Sequence, residues 1–206
     1  MERIRKNRIM TRAVVIGNGE SRRTIDLESL SADTLIGCNA IHRDTVVDHL
    51  ICCDRRMADE AVENPQTKNT LIYVRPSWFH YFRKIRKHKN IKTVPALPYQ
   101  GEHKKDDPDH WGSGGFAVLL AAELAYTEIE LIGFDLYPIN SAVNNIYKGT
   151  KNYAQLGSQA IDYSYWVYQI NRVFMYYPDQ KFIIRNHRDW KMPQEWQKNN
   201  VEFVAL

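Results

Sequence analysis

The chain has 206 residues, 44% hydrophobic and 25% charged, with a net charge of +4. That size and balance suit one folded domain and exclude a wholly disordered chain, a collagen-like fibre and a disulfide miniprotein. No stretch approaches the ~20 apolar residues of a membrane span; the best run, from Phe116 to Ala125, is about half that and carries Glu123. The start is basic, with Arg3, Arg5, Lys6 and Arg8, but has no apolar segment behind it. A frayed tail over residues 1–11 is therefore expected rather than a signal peptide. Cys38, Cys52 and Cys53 make an odd set in apolar surroundings, which predicts reduced thiols in a cytoplasmic protein.

Taken in chain order, Val14–Ile16 is a β-branched run ending in Gly17-Asn18-Gly19, a strand followed by a turn. Short apolar runs follow at Thr34–Gly37, ending at Cys38-Asn39, at His49–Cys53, ending at Asp54, and at Thr70–Val74, stopped by Pro76. Ser77–Lys87 is amphipathic, and its spacing predicts a helix with Trp78, Phe82 and Ile85 inward. Ile91–Val94 predicts a fifth strand. Gly114–Tyr126 is apolar nearly all round, as a helix buried on a sheet would be. Ile129–Ile132 predicts a sixth strand, ending in Gly133-Phe134-Asp135. Ser158–Tyr177 carries Tyr163, Trp166, Val167, Ile170, Val173 and Phe174 at helical spacing before Pro178, and Lys181–Ile184 predicts a seventh strand ending at Asn186. Strands alternating with helices predict a three-layer α/β/α, Rossmann-like fold with a mostly parallel sheet of about seven strands, in one domain over residues 12–206. Pro95–Trp111 and Pro138–Gly157 are long, polar and turn-rich. Loops of that kind in α/β domains are commonly functional, and residues 138–157 read as a lid-like segment.

Charge is unevenly spread. From Asn64 to Gly101 there is no Asp or Glu, while Lys68, Arg75, Arg83, Lys84, Arg86, Lys87, Lys89 and Lys92 accumulate. Such a block projects a positive field toward an anionic partner, or is simply a solvated helix face. As a non-enzymatic binder of nucleic acid or an anionic surface, eight basic residues on a near-neutral domain are a thin footprint.

Asn18, Asn39, Asp54 and Asp135 each fall just after a predicted strand, the edge of an open α/β sheet where ligands bind. Gly17-Asn18-Gly19-Glu20-Ser21 is a small-residue turn that admits close backbone approach, but Arg22 stands where a dinucleotide fingerprint needs its third glycine. No Gly-Lys-Ser/Thr follows it, so it is not a phosphate loop either. Gly112-Ser113-Gly114-Gly115 opens the apolar helix, where free N–H groups can hold a phosphate, or where small residues simply ease packing. Glu102, His103, Asp106, Asp107, Asp109 and His110 crowd one loop without a closed metal spacing, so a hydrophilic loop is the expectation. His110, three residues before Ser113, is a general-base candidate.

The ordered set Gly17-Asn18-Gly19-x-Ser21, Cys38-Asn39, Ser113-Gly114 and Gly133-Phe134-Asp135-Leu136-Tyr137 resembles the bacterial sialyltransferases of glycosyltransferase family 42. It also resembles a wider superfamily containing the archaeal-type 6-hydroxymethylpterin diphosphokinases and their phage and bacterial relatives. The resemblance implies a nucleotide site in which Asn18, Asn39 and Ser113 contact a cytidine monophosphate donor and Asp135 holds its ribose or base. It further implies that Tyr137, with a second lid tyrosine (Tyr147 or Tyr153), steadies the leaving phosphate, and that a histidine takes the acceptor proton in a metal-independent inverting displacement. Two departures stand out. There is no histidine from Leu136 to Asn186, where the family's lid histidine sits, which leaves His110 or His187 as the base. Asp54 stands where the sialyltransferases have an asparagine.

Two enzymatic readings follow. One is a glycosyltransferase-like enzyme moving a sugar, of sialic-acid type among the options, from a CMP-type nucleotide donor to a glycan or other hydroxyl acceptor, with no cofactor. The other is a diphosphokinase-like phosphoryl transferase in which Asp54 and Asp135 hold a magnesium ion on a triphosphate. A homo-oligomer is compatible with either reading.

Overall fold

Residues 10–99, 101 and 104–206 are described by a computed structural model. Arg3, Arg5, Lys6, Arg8, Glu102 and His103 lie outside the described residues. The strands are β1 (Arg12–Ile16), β2 (Thr34–Cys38), β3 (His49–Cys52), β4 (Leu71–Val74), β5 (Ile91–Thr93), β6 (Glu128–Ile132), β7 (Lys181–Asn186) and β8 (Val201–Ala205). They form one sheet in the order β5-β4-β3-β2-β1-β6-β7-β8, with every neighbouring pair parallel. The three-layer α/β fold expected from the sequence is therefore present, with eight strands instead of about seven. The additional strand is β8, a half-exposed edge that continues the sheet beyond β7.

Period-2 alternation assigns the two faces. Ala13 and Val15 of β1 point to one side, with Ile36, Ile51 and Tyr73, and are covered by α3 (Ser113–Glu123) and α4 (Ser164–Tyr176). Val14 and Ile16 point to the other, with Leu50, Ile72 and Val74. That face is covered by α1 (Arg55–Glu63), the tight turn Asn39–Arg43 and Phe82 from the segment after β4. The α3 residues from Gly115 to Ala122 are all buried, which explains the lack of a polar stripe. Truncating Phe116 there would cost about 3–5 kcal/mol.

Two helices differ from expectation. The segment after β4 begins as α2 (Pro76–His80) and continues as a π-turn over Tyr81–Ile85, closed by the Arg86 N–H on the Tyr81 carbonyl at 3.0 Å. The wider turn shifts the helical phase, so Phe82 is fully buried while Ile85 is 64% exposed. α4 starts at Ser164, not near residue 158: Gln159 is bridged to Ala142, and the Asp162 carboxylate accepts the Ser164 N–H at 2.9 Å. Among the described residues no helix is long and apolar enough to cross a membrane. All three cysteines are buried and unpaired, and burial pushes Cys38 up to about 12 and Cys53 to about 11.

Candidate functional site

β1 lies between β2 and β6, and the chain leaves it toward β2 but leaves β6 toward β7. The ends of these two strands are therefore the switch point of the sheet, the place where an open α/β sheet takes a ligand. Here the two turns are laid against each other: the Gly17 N–H bonds the Ile132 carbonyl at 2.8 Å and the Gly19 N–H bonds the Gly133 carbonyl at 2.9 Å. A Cβ on Gly17 would stand 2.4 Å from the Gly133 oxygen, and Gly133 has φ +69° with its own Cβ position 2.8 Å from the Gly17 oxygen. These glycines let two backbones touch and so bring the β1 and β6 motifs to one place.

The third wall is the start of α3. The Ser113 hydroxyl donates to Asn39 Oδ1 at 2.8 Å and accepts the Cys53 N–H at 3.0 Å, tying the ends of β2 and β3 to the helix. Asn39 holds a left-handed backbone (φ 50°), which asparagine tolerates well. The first-turn N–H groups of Ser113, Gly114 and Gly115 have no acceptor among the described residues, so the positive end of an eleven-residue helix faces the cleft. The cavity measures about 240 Å³ and brings together Gly17, Asn18, Gly19, Asn39, Ser113, Gly114, Gly115 and Asp135. No lysine or arginine is in its described lining, and Asp135 is the one carboxylate there.

Asp135 is largely committed within the protein. Its carboxylate accepts from the Ser21 N–H at 2.8 Å, from the Ser21 hydroxyl, and from Asn186 Nδ2 at 3.4 Å. Its carbonyl accepts from Trp190 Nε1 at 2.8 Å. Ser21 thus serves the site by bracing Asp135. Arg22, in the place of the missing glycine, is 3% exposed: its guanidinium bonds the Gly17 carbonyl, Asp44 and the Tyr147 hydroxyl. A fingerprint glycine would leave that space empty.

The segment over residues 138–157 is fastened down. Arg43 bonds Glu60, Thr150 and the Lys151 carbonyl, Asn152 bonds Glu60, and Lys148 pairs with Glu20. The Ile146 N–H bonds the Asn18 carbonyl. Arg43 beside Glu60 holds that carboxyl below its usual range against the raising effect of burial. This docking separates the two lid tyrosines. Tyr147 is 5% exposed, donates to Asp44 at 2.6 Å and packs in the core under β1, so it does not reach the cleft. Tyr153 touches a residue of the cleft without lining it: its hydroxyl accepts from Asn18 Nδ2 at 3.2 Å and from the Ala40 N–H at 3.3 Å. Burial raises both phenols well above their ordinary value. The other end of the Asn18 amide, Oδ1, is a buried acceptor without a partner among the described residues.

Besides Tyr147 and Ser21, four expected site residues are placed elsewhere. His110 sits on an exposed turn with its ring 3.2 Å from Asp107 and does not line the cleft. Asp54 caps α1 and pairs with Arg56 at 2.9 Å. Burial raises its carboxyl, but the Arg56 bonds outweigh this and hold it below its usual range. Among the described residues it lines neither the cleft nor the adjoining hollow, the two spaces on which Asp135 opens. Among the described residues no group of three or more potential metal ligands occurs. Tyr137 and His187 line an adjoining hollow instead. Tyr137 donates to the Lys191 carbonyl at 2.8 Å.

The cleft also contains Asn144, Asn145, Trp166 and Ile170. The doubled asparagine in a long polar loop was the available signal for the first pair, whereas Trp166 and Ile170 are indistinguishable in sequence from core positions of α4. The basic block is partly used internally: Arg75 bonds the carbonyls of Cys53, Pro108 and Trp111, Arg83 that of Lys89, and Arg86 pairs with Glu63. No family model and no curated protein matches the chain.

Proposed function

We propose that this chain is a glycosyltransferase-like enzyme that binds a CMP-type nucleotide-sugar in the β1/β6 cleft and transfers the sugar to a hydroxyl acceptor with inversion. The observation that carries this reading is the convergence of Asn18, Asn39 and the free α3 N-terminus on a single cleft at the switch point of the sheet. Asn18 Oδ1, without a partner among the described residues, is the acceptor for a base or ribose donor. The helix start supplies N–H groups to a phosphate, an interaction worth about 0.3–1 kcal/mol at exposed sites and up to ~2 kcal/mol when partly buried.

The charge of the cleft favours a donor with one phosphate. A lining with no lysine or arginine among the described residues offers a helix terminus and neutral amides, which match a singly charged phosphodiester better than a triphosphate. In the proposed step the acceptor oxygen bonds the anomeric carbon while the carbon–oxygen bond to phosphate breaks. The nucleoside monophosphate leaves with that electron pair, and the hydroxyl proton passes to a base. Tyr153 takes the lid-tyrosine role through Asn18, and His187, across the Asp135 wall, is the base.

The test is thermal unfolding with CMP, UDP, GDP and ATP, each with and without magnesium. A ligand at a hundredfold excess over its Kd adds about 2.7 kcal/mol to the folded state. CMP is expected to raise the midpoint equally in both conditions. A shift by ATP alone, dependent on magnesium, overturns the reading in favour of phosphoryl transfer.

A further inference from the structure

On the far side of Asp135 and Asn144 lies a second hollow, of about 290 Å³, at the ends of β6 and β7. Those two residues line both spaces, so a group held in one lies about one side chain from a group held in the other. We infer that this hollow is the acceptor subsite and that it takes a neutral saccharide; the inference rests on the nucleotide-sugar reading of the cleft.

The argument is from the chemistry of the walls. Tyr137 and Trp190 face each other at 6.1 Å between ring centroids, and Tyr137 is braced edge-on by Tyr163 at 5.0 Å. Both polar tips are used: the phenol on the Lys191 carbonyl and the indole N–H on the Asp135 carbonyl. The rings therefore present fixed apolar bodies rather than hydrogen-bonding ends. Around them stand two side chains, His187 and Asp189, that make no hydrogen bond or ion pair with the described residues. Rigid apolar surface beside a few unspent polar groups is the make-up of a small-molecule site. A sugar, with a C–H face and a rim of hydroxyls, matches both parts.

Charge narrows the class. Among the described residues Asp135 and Asp189 line the hollow beside Glu20, which Lys148 and Arg23 neutralise, and no lysine or arginine does, so an acidic acceptor would be repelled while a neutral one would not. The exposed His187 side chain opens on the same space, which sets a proton acceptor beside the sugar hydroxyls rather than beside the nucleotide.

Saturation-transfer NMR with lactose, maltose and N-acetylglucosamine, in the presence of saturating CMP, tests the subsite. At least one sugar is expected to give a signal that Asp189→Trp weakens at least tenfold while the CMP thermal shift is retained. Asp189 is exposed, and Ile139→Trp, at a second lining position that is 43% exposed, provides another block that leaves the core untouched. No signal from any of the three sugars, or a signal that neither substitution weakens, overturns the inference and leaves the nucleotide reading standing. Absence of a CMP shift in the unaltered protein is a separate result that removes the nucleotide reading and this subsite together.

Discussion

Ser113→Ala is the sharpest probe of how the cleft is built. The hydroxyl it removes joins three elements, donating to Asn39 at 2.8 Å and accepting the Cys53 N–H at 3.0 Å, with Ser113 7% and Cys53 8% exposed. The Cys53 N–H would be left buried without an acceptor, a loss of about 1–3 kcal/mol. Asn39 is half-buried and can be rehydrated, so its lost bond adds only about 0.5–1.5 kcal/mol. Alanine returns up to about 0.5 kcal/mol through its higher helix propensity. The net loss is about 2–3 kcal/mol, read as a lower urea midpoint at unchanged slope. For a chain of this length it lowers Tm by roughly 4–12 °C. Because Asn39 is then free to leave its left-handed pose, CMP affinity is expected to fall with stability. A variant within about 0.5 kcal/mol of the parent, with unaltered CMP binding, would refute the claim that this hydroxyl organises the site.

Three further outcomes are expected. Arg22→Gly, which restores a dinucleotide-type glycine, should destabilise by about 2–5 kcal/mol in urea unfolding, because it empties the space of a buried side chain and leaves the Gly17 carbonyl without its donor, while Asp44 keeps the Tyr147 hydroxyl. Tyr153→Phe should weaken CMP binding several-fold and, by leaving the buried Ala40 N–H without its acceptor, also lower stability by about 1–3 kcal/mol; Tyr147→Phe should lower stability by about 1–3 kcal/mol but leave the cleft's own contacts and CMP affinity in place, so calorimetric titration distinguishes them. Glu60 has a folded-state pKa below its ordinary 4.5, through Arg43 first, against burial, and then Asn152. Its contribution is thus full above that value and is lost as pH falls through the lowered folded pKa. Hydrogen exchange over residues 149–153 should accelerate in that acidic range, and Glu60→Gln should abolish the pH dependence.

Much of this architecture is legible along the chain because it depends on local pattern. Buried parallel strands are short apolar runs closed by turn residues, and β1 to β4, β6 and β7 carry that mark, with the edge strand β5 a weaker case of one buried residue in three. The motifs Gly17-Asn18-Gly19, Asn39 and Ser113-Gly114-Gly115 sit at strand ends and a helix start, so their meeting follows once the sheet is parallel. β8 is the exception: Val201–Ala205 is apolar at four of its five positions, but it is a half-exposed edge paired with β7 alone.

Other features required the folded chain. Which lid tyrosine reaches Asn18 depends on where residues 138–157 are pinned, and that is decided by Arg43, Glu60 and Asp44, distant in sequence. The capture of Asp135 by Ser21 and Asn186, and the turning of His110 toward Asp107, are likewise long-range or loop-specific contacts with no periodic trace. The sequence by itself determined the sheet and the address of the cleft, since both follow from residue spacing. Tertiary structure alone decided which polar groups remain free to act there, because a side chain's availability depends on every neighbour it meets and not on its position in the chain.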